Sequence, residues 1–450
     1  MCLIINAFLP LFLNAQDIDY KTAGVTCNLS PQEISRQSII TEKQLNQLQP
    51  SWRKEAASVL KDRNEHIAKL CSGKLIITDT LFSLPYQRIF KHIIEANNLQ
   101  TEAMQLYLGK QPWPNAFSAG EGSLIFQVGL LPVLRNEAEM AFVICHEIAH
   151  YILNHSTQSL VTYFGQLNSA ETQATLKQLG KQEYGTKTVA LQLLEKLTFT
   201  SRRHSRFNES SADSLALIYM DRARYNTRLG AASMQSLDGA DTAGGYVPLA
   251  KHFNLPGFAF EDRWIKKTKT LGSSKMYTAE LNADSLKTHP DCSKRLAAME
   301  QRLGTNGWKE GNFNMLSADS FALMQRNAMF ERVDSWFQLG QFDFALFEAL
   351  RLTDLYPEHP YGYVQAGKIL QALCVAYSKF ELSEYVHPPS SALYTDNFNE
   401  LLRMMQRLSL EEMIRMTAAY VLNHAKKWET TSGAFRDMAA QLPALKKLIQ

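Results

Sequence analysis

Polar and apolar positions divide this chain into stretches of different character. Residues 16–74 are polar and charged and predict an N-terminal helical segment. Ser123-Leu124-Ile125-Phe126-Gln127-Val128 is a short apolar run that reads as a strand at a sheet edge or, nearly as well, as an ordinary core strand. Ala141-Phe142-Val143-Ile144-Cys145 is a second apolar run. It continues through residues 146–150 into Tyr151-Ile152-Leu153, which together predict a buried helix. The stretch 156–204 is polar again, and a helical apolar run, Ser214 to Met220, follows. Residues 237–288 form a long excursion with Gly239, Gly244 and Gly245, of the kind that serves as a lid or loop. From about 315 to 450 the pattern is helical. The expected architecture is mainly α, with a small β-sheet ahead of the central helix and a helical C-terminal domain.

The central helix carries His146-Glu147-Ile148-Ala149-His150. Residues four apart share a helical face, so His146 and His150 can both reach one metal ion. Glu147 lies beside the first ligand, where it can serve a metal-activated water as a base. The run ahead of it is uncharged, as a dry and rigid support for a metal requires. A catalytic zinc needs a third protein ligand and an open position. Residues 205–213 read Ser-Arg-Phe-Asn-Glu-Ser-Ser-Ala-Asp and lead into the next helical run. Glu209 and Asp213 are again four apart. Glu209 is expected to be the third ligand, and Asp213 to accept the second ring N–H of a ligand histidine.

Four stretches in order resemble the zinc metallopeptidase family that includes the type I CaaX prenyl proteases and the HtpX-like and BepA-like bacterial proteases. They are Asn115-Ala116-Phe117 with Gly120 and Val128-Gly129-Leu130-Leu131; His146-Glu147-x-x-His150; Ser205-Arg206-x-x-Glu209-x-x-Ala212-Asp213; and Thr288-His289-Pro290 with Arg295. Glu121 departs from the pattern where a second glycine is common, as do the residues flanking Glu209. The resemblance implies a zincin-like catalytic domain over 75–305. It also implies one zinc ion per chain on His146, His150 and Glu209, and a peptide bond hydrolysed by a zinc-bound water with Glu147 as general base. His289 and Arg295 are expected to stabilise the oxyanion, and His289 could instead cap the zinc at rest. The strand at 123–128 is expected to pair with an extended substrate.

The chain has 450 residues, with 45% apolar and 10% aromatic residues, enough for two or three domains with sizeable cores. Its net charge of +3 gives no nucleic-acid footprint. Past the N-terminus no apolar run is long enough for a membrane span, so the chain reads as a soluble member of the family. Leu3 to Leu13 is apolar and Ala15 precedes Gln16, which reads as a signal peptide over 1–15 and export to the periplasm or cell envelope. The signal lacks a Lys or Arg before its apolar core, and Leu13 is larger than such a cleavage site prefers. Of the cysteines at 2, 27, 71, 145, 292 and 374, Cys27 and Cys71 are available to pair in an oxidising compartment, though spacing alone does not pair them.

Gly340-Gln341-Phe342-Asp343-Phe344-Ala345-Leu346, ending at Pro357, resembles the second helix of a tetratricopeptide repeat, with Phe321 to Leu339 as its partner. The domain 315–450 is therefore expected to be a helical, tetratricopeptide-like appendage able to bind a protein partner. The expected function is a zinc endopeptidase acting on proteins, with misfolded or envelope proteins as candidate substrates. The alternative is a latent or non-proteolytic chaperone or scaffold. Glu147 argues against that alternative, because a structural zinc has no use for a base.

Overall fold

The computed structural model describes residues 20–449 apart from 21, 26, 28, 101–103, 180–205, 239, 241–244, 268–291, 306–307, 309, 392 and 429–432. The expected signal segment and His289 lie outside the described residues. The protein is mainly helical with one small sheet. In chain order the elements of the first half are α1 (Pro31–Asn46), α2 (Arg53–Ser72), β1 (Ile76–Ile77), α3 (Thr80–Ala96), β2 (Gln105–Gly109), β3 (Ala116–Ser118), β4 (Ser123–Gln127), α4 (Glu137–Ile152), α5 (His155–Leu167) and α6 (Ala170–Leu179). A helix over 206–222, α7, follows. Then come α8 (Thr227–Ala231), α9 (Ser233–Leu237), α10 (Leu249–Phe253), α11 (Cys292–Thr305) and α12 (Ala318–Gln338). The C-terminal helices are α13 (Phe342–Leu355), α14 (Pro360–Ser378), α15 (Leu382–Tyr385), α16 (Asp396–Arg407), α17 (Leu410–Trp428) and α18 (Ala434–Lys446).

Two compact units are built from these elements: Ala23–Thr242 with Ser274–Arg332, and Met1–Thr22 with Ala243–Ser273 and Val333–Gln450. The division falls inside α12. The N-terminal helices thus share a unit with the central helix. Cys27 and Cys71 form a disulfide there, joining the chain ahead of α1 to the end of α2.

The sheet has the order β1-β2-β4-β3, with β2 and β4 parallel and the outer pairs antiparallel. This corrects one expectation. β4 is an interior strand, paired along Gln105–Gly109 on one side and along Ala116–Ser118 on the other. All five of its residues are buried, and the edge beside it belongs to β3. After β4 the chain makes a tight turn at Gly129, whose backbone lies against Pro112. A Cβ there would fall 2.0 Å from the Pro112 carbonyl oxygen, so only glycine fits without a shift.

Helix α4 is the centre of the core. Asn136 caps its start by accepting from the Glu139 N–H at 3.0 Å, and Glu137 and Glu139 complement the helix dipole. Every residue from Glu137 to His146 is buried. Two buried carboxylates would be costly without partners. Glu137 accepts from Tyr225 Oη at 2.8 Å and from the backbone N–H groups of Met315 and Leu316. Glu139 accepts from Arg135 Nε at 2.9 Å and from Ser236 Oγ at 2.8 Å. Both acids therefore tie the first turn of α4 to neighbouring segments.

In the other unit, α12 and α13 are joined by a turn at Gly340, which has φ +74°. Trp336 stacks on Phe344 across that turn, with ring centroids 4.6 Å apart. The described part of the long excursion, 245–267, is not a free loop. Val247 exchanges backbone hydrogen bonds with the Asn397 side chain, His252 pairs with Asp354 at 3.0 Å, and Trp264 is buried. These contacts fold the segment onto the C-terminal helices. No helix among the described residues is long and apolar enough to cross a membrane.

Candidate metal centre

Helix α4 presents His146 and His150 on one face, with their Nε2 atoms 3.0 Å apart. Helix α7 brings Glu209 against both. Its Oε2 lies 3.4 Å from His146 Nε2, and its Oε1 lies 3.4 Å from His150 Nε2. The donor atoms of these three residues all lie within 4.8 Å of one another, the one such cluster among the described residues. Tetrahedral zinc with ligands at about 2.0–2.1 Å separates its donors by roughly 3.3 Å. Two imidazoles and a carboxylate with these spacings therefore suit that ion, in both chemistry and reach.

Asp213, one helical turn beyond Glu209, lies behind His146, with Oδ1 3.0 Å from Nδ1. Arg295 enters from α11. It donates from Nε to Asp213 Oδ2 at 2.8 Å and from Nη2 to Asp213 Oδ1 at 2.7 Å, and its Nη1 is 2.9 Å from Glu209 Oε2. Its guanidinium is taken up by these two carboxylates. That is a different engagement from the oxyanion contact expected of it. The engagement of Arg295 with Asp213 and Glu209 was not foreseen from the sequence.

The electrostatics follow from this packing. Burial pulls the His146 imidazole down, but the close carboxylates of Asp213 and then Glu209 outweigh it and hold its pKa up at about 10. Burial pushes the Glu209 carboxyl up, yet His146, His150 and Arg295 carry it well below its ordinary range. Asp213 is lowered too, with burial opposed mainly by Arg295. Without metal, then, this packing favours the protonated form of His146 and the ionised forms of Glu209 and Asp213.

Glu147 is half-buried and makes no hydrogen bond or ion pair with any other described residue. His150 has a partner that sequence reasoning missed. His155, the first residue of α5, is buried and places Nδ1 3.0 Å from His150 Nδ1. Burial and the neighbouring His150 push its pKa down to about 4. The available signal was Asn154, an αL former directly after an apolar helical end. It adopts φ +55° and separates α4 from α5.

Glu121, the departure from the expected glycine, is fully buried behind the sheet. It accepts from Gln37 Nε2 on α1 at 3.3 Å and from its neighbour Ser123 N at 3.4 Å. Gly120 beside it has φ +86° and packs on Ser156. The hairpin ahead of β4 is thereby fastened to the N-terminal helix on one side and to α5 on the other.

A two-histidine, one-glutamate cluster on two helices, with the Glu147 carboxylate next to the first histidine, has the make-up of a metallopeptidase class of site. Residues 84–303 match peptidase family M48, and this part of the chain belongs to that family of zinc metallopeptidases. Over 78 residues it is 31% identical to the mitochondrial metalloendopeptidase OMA1 of Schizosaccharomyces pombe, which covers 17% of this chain and 23% of that protein. The match thus spans less than a quarter of that relative's length.

Proposed function

We propose that the chain is a zinc-dependent endopeptidase that hydrolyses internal peptide bonds of proteins, with one zinc per chain. The observation that carries this reading is the convergence of His146 Nε2, His150 Nε2 and a Glu209 carboxylate oxygen, with Glu147 next to His146 in the chain. Zinc bound there would supply Lewis acidity, acidifying a water and polarising the scissile carbonyl.

The protein's own residues would do the rest. Glu147 takes the proton from the attacking water and returns it to the leaving amine. Asp213 fixes the His146 ring, and Arg295 holds Glu209 and Asp213 in place, so both act as positioning residues. His289 retains the role that the family resemblance gives it, stabilising negative charge on the carbonyl oxygen. The free side of β3 is the sheet edge on which an extended substrate segment would lie. The Cys27–Cys71 disulfide supports an oxidising compartment, hence export and envelope or misfolded proteins as substrates. The helices from α12 onward are the proposed tetratricopeptide-like surface for a protein partner.

The test is zinc content together with cleavage of an unfolded protein by the purified full chain. Zinc near one equivalent and internal cleavage that stops with a chelator are expected. A zinc-loaded protein inert towards unfolded chains would favour the scaffold alternative.

A further inference from the structure

Resting on the metal-site reading above, we propose that His155 is a positioning residue for the metal. It accepts the His150 Nδ1 proton and so fixes the tautomer in which His150 Nε2 faces the ion. The chain of contacts continues beyond it. His155 Nε2 lies 3.1 Å from Ser211 Oγ, and Ser211 Oγ lies 2.9 Å from the Asn208 carbonyl oxygen. Ser211 is two residues from the ligand Glu209 on the same helix, so the path runs from one ligand-bearing helix to the other.

Only one assignment of protons satisfies every link. A metal on His150 Nε2 requires a proton on its Nδ1. His155 Nδ1 must then be bare and accept it, so the His155 proton sits on Nε2 and is donated to Ser211 Oγ. The Ser211 hydroxyl in turn donates to the Asn208 carbonyl, which can only accept. A proton on His155 Nδ1 would set two N–H groups against each other at 3.0 Å.

The local fold explains how His155 gets there. Five residues along a continuous helix rotate a side chain by about 140°, which would turn His155 away from His150. Asn154 breaks the helix at φ +55° and starts α5, which returns the ring to within 4.8 Å of the His150 ring, nearly perpendicular to it at 79°. The two ligand histidines are therefore held differently. His146 is backed by a carboxylate and His150 by a neutral imidazole, which spares the buried site a further negative charge.

The test uses the full chain and zinc itself. Zinc affinity is measured by competition with a chromophoric chelator for the wild type, His155→Leu, His155→Asn and Ser211→Ala. The ring tautomers of the zinc-loaded wild type are read from two-bond ¹H–¹⁵N correlations. Leucine removes the acceptor and is expected to weaken zinc binding about 10- to 100-fold. Asparagine puts an oxygen where Nδ1 stood and is expected to restore binding to within about fivefold of wild type, with Ser211→Ala between the two. The spectrum is expected to show His155 protonated on Nε2 alone. Wild-type zinc affinity in His155→Leu, or a proton on His155 Nδ1 in the loaded wild type, would overturn the proposal. Failure of the wild type to bind zinc would instead overturn the metal-site reading itself. If His155→Leu does not fold, as judged by its melting without metal, the wild-type tautomer decides.

Discussion

Arg295 grips Asp213 with two parallel hydrogen bonds, at 2.8 and 2.7 Å, and reaches Glu209 with its remaining nitrogen at 2.9 Å. One guanidinium thereby compensates two carboxylates of the candidate metal centre, the buried Asp213 and the partly buried Glu209. Arg295→Met keeps most of the volume and removes the charge. Breaking a buried pair by deleting one partner costs about 3–5 kcal/mol, because the other charge is left uncompensated. The metal-free variant is expected to melt well below metal-free wild type. Zinc supplies positive charge at the same place, so it should raise the melting temperature of the variant more than that of wild type. Equal zinc-induced shifts in the two proteins, measured by calorimetry, would mean that Arg295 and the metal do not share those carboxylates.

The raised pKa of His146 gives the metal-free protein a particular response to base. The folded value of about 10 stands above the ordinary 6.5, so His146 contributes stability that is fully present below about 6.5. That contribution is lost as pH climbs through about 10. The depressed Glu209 and Asp213 act in the opposite sense. Their contribution is present above the ordinary carboxylate range and lost as pH falls through their lowered values. Denaturant midpoints of chelator-treated protein are therefore expected to decline between about pH 7 and pH 10, and His146→Gln should lack most of that decline. The same proton must leave before metal binds, so apparent zinc affinity should strengthen over that range. A flat midpoint in wild type would contradict the linkage.

Much of the site could be read in the sequence because helical period is a geometric rule. His146 with His150, and Glu209 with Asp213, are pairs four apart, and each pair does share a helix face. The meeting of the two helices was expected because a catalytic zinc needs a third ligand, and the family resemblance added to that, since no local rule joins residues so far apart. For the same reason the clamp by Arg295, 82 positions from Asp213, was placed near the site but given another partner. His155 was missed because helix continuation turns it away, and only the left-handed Asn154 restores the contact. β4 was read as a strand at a sheet edge, yet a short apolar run such as 123–128 does not itself tell an edge from an interior strand, and its ends are Ser123 and Gln127. Both are buried, and the strand that covers it, β3, has only three residues. The segment 245–267 looked like a loop for its glycines, yet Val247, Phe253, Phe258 and Trp264 were the apolar positions that fold it down.

Gly129 sits where β4 ends and the path to α4 begins. Its Cα faces the Pro112 carbonyl so closely that a methyl group has no room. The atom that a Cβ would meet at 2.0 Å belongs to the backbone, not to the end of a flexible side chain. Gly129→Ala must therefore push two backbone segments apart, including the Gly129 N–H to Gln111 O hydrogen bond at 3.2 Å. Overpacking of this kind costs typically about 1–3 kcal/mol. A lower urea midpoint with an unchanged slope is expected. Because the clash lies outside the ligand set, the zinc stoichiometry of the folded fraction should stay as in wild type.

Glu147 separates metal binding from chemistry. It neighbours His146 in the chain and makes no hydrogen bond or ion pair with any other described residue. Glu147→Gln preserves shape and removes basicity. The ligand distances among His146, His150 and Glu209 do not depend on its charge, so zinc content should remain near that of wild type. The proton transfers assigned to Glu147 would be lost, which lowers the rate by roughly two to four orders of magnitude. The comparison is made on equal zinc-loaded amounts of wild type and variant, with an unfolded protein as substrate and product sizes followed over time. Undiminished cleavage by the loaded variant would remove Glu147 from the mechanism. Loss of zinc together with activity would instead make Glu147 part of the metal's support, and the base would have to be sought elsewhere in the cleft.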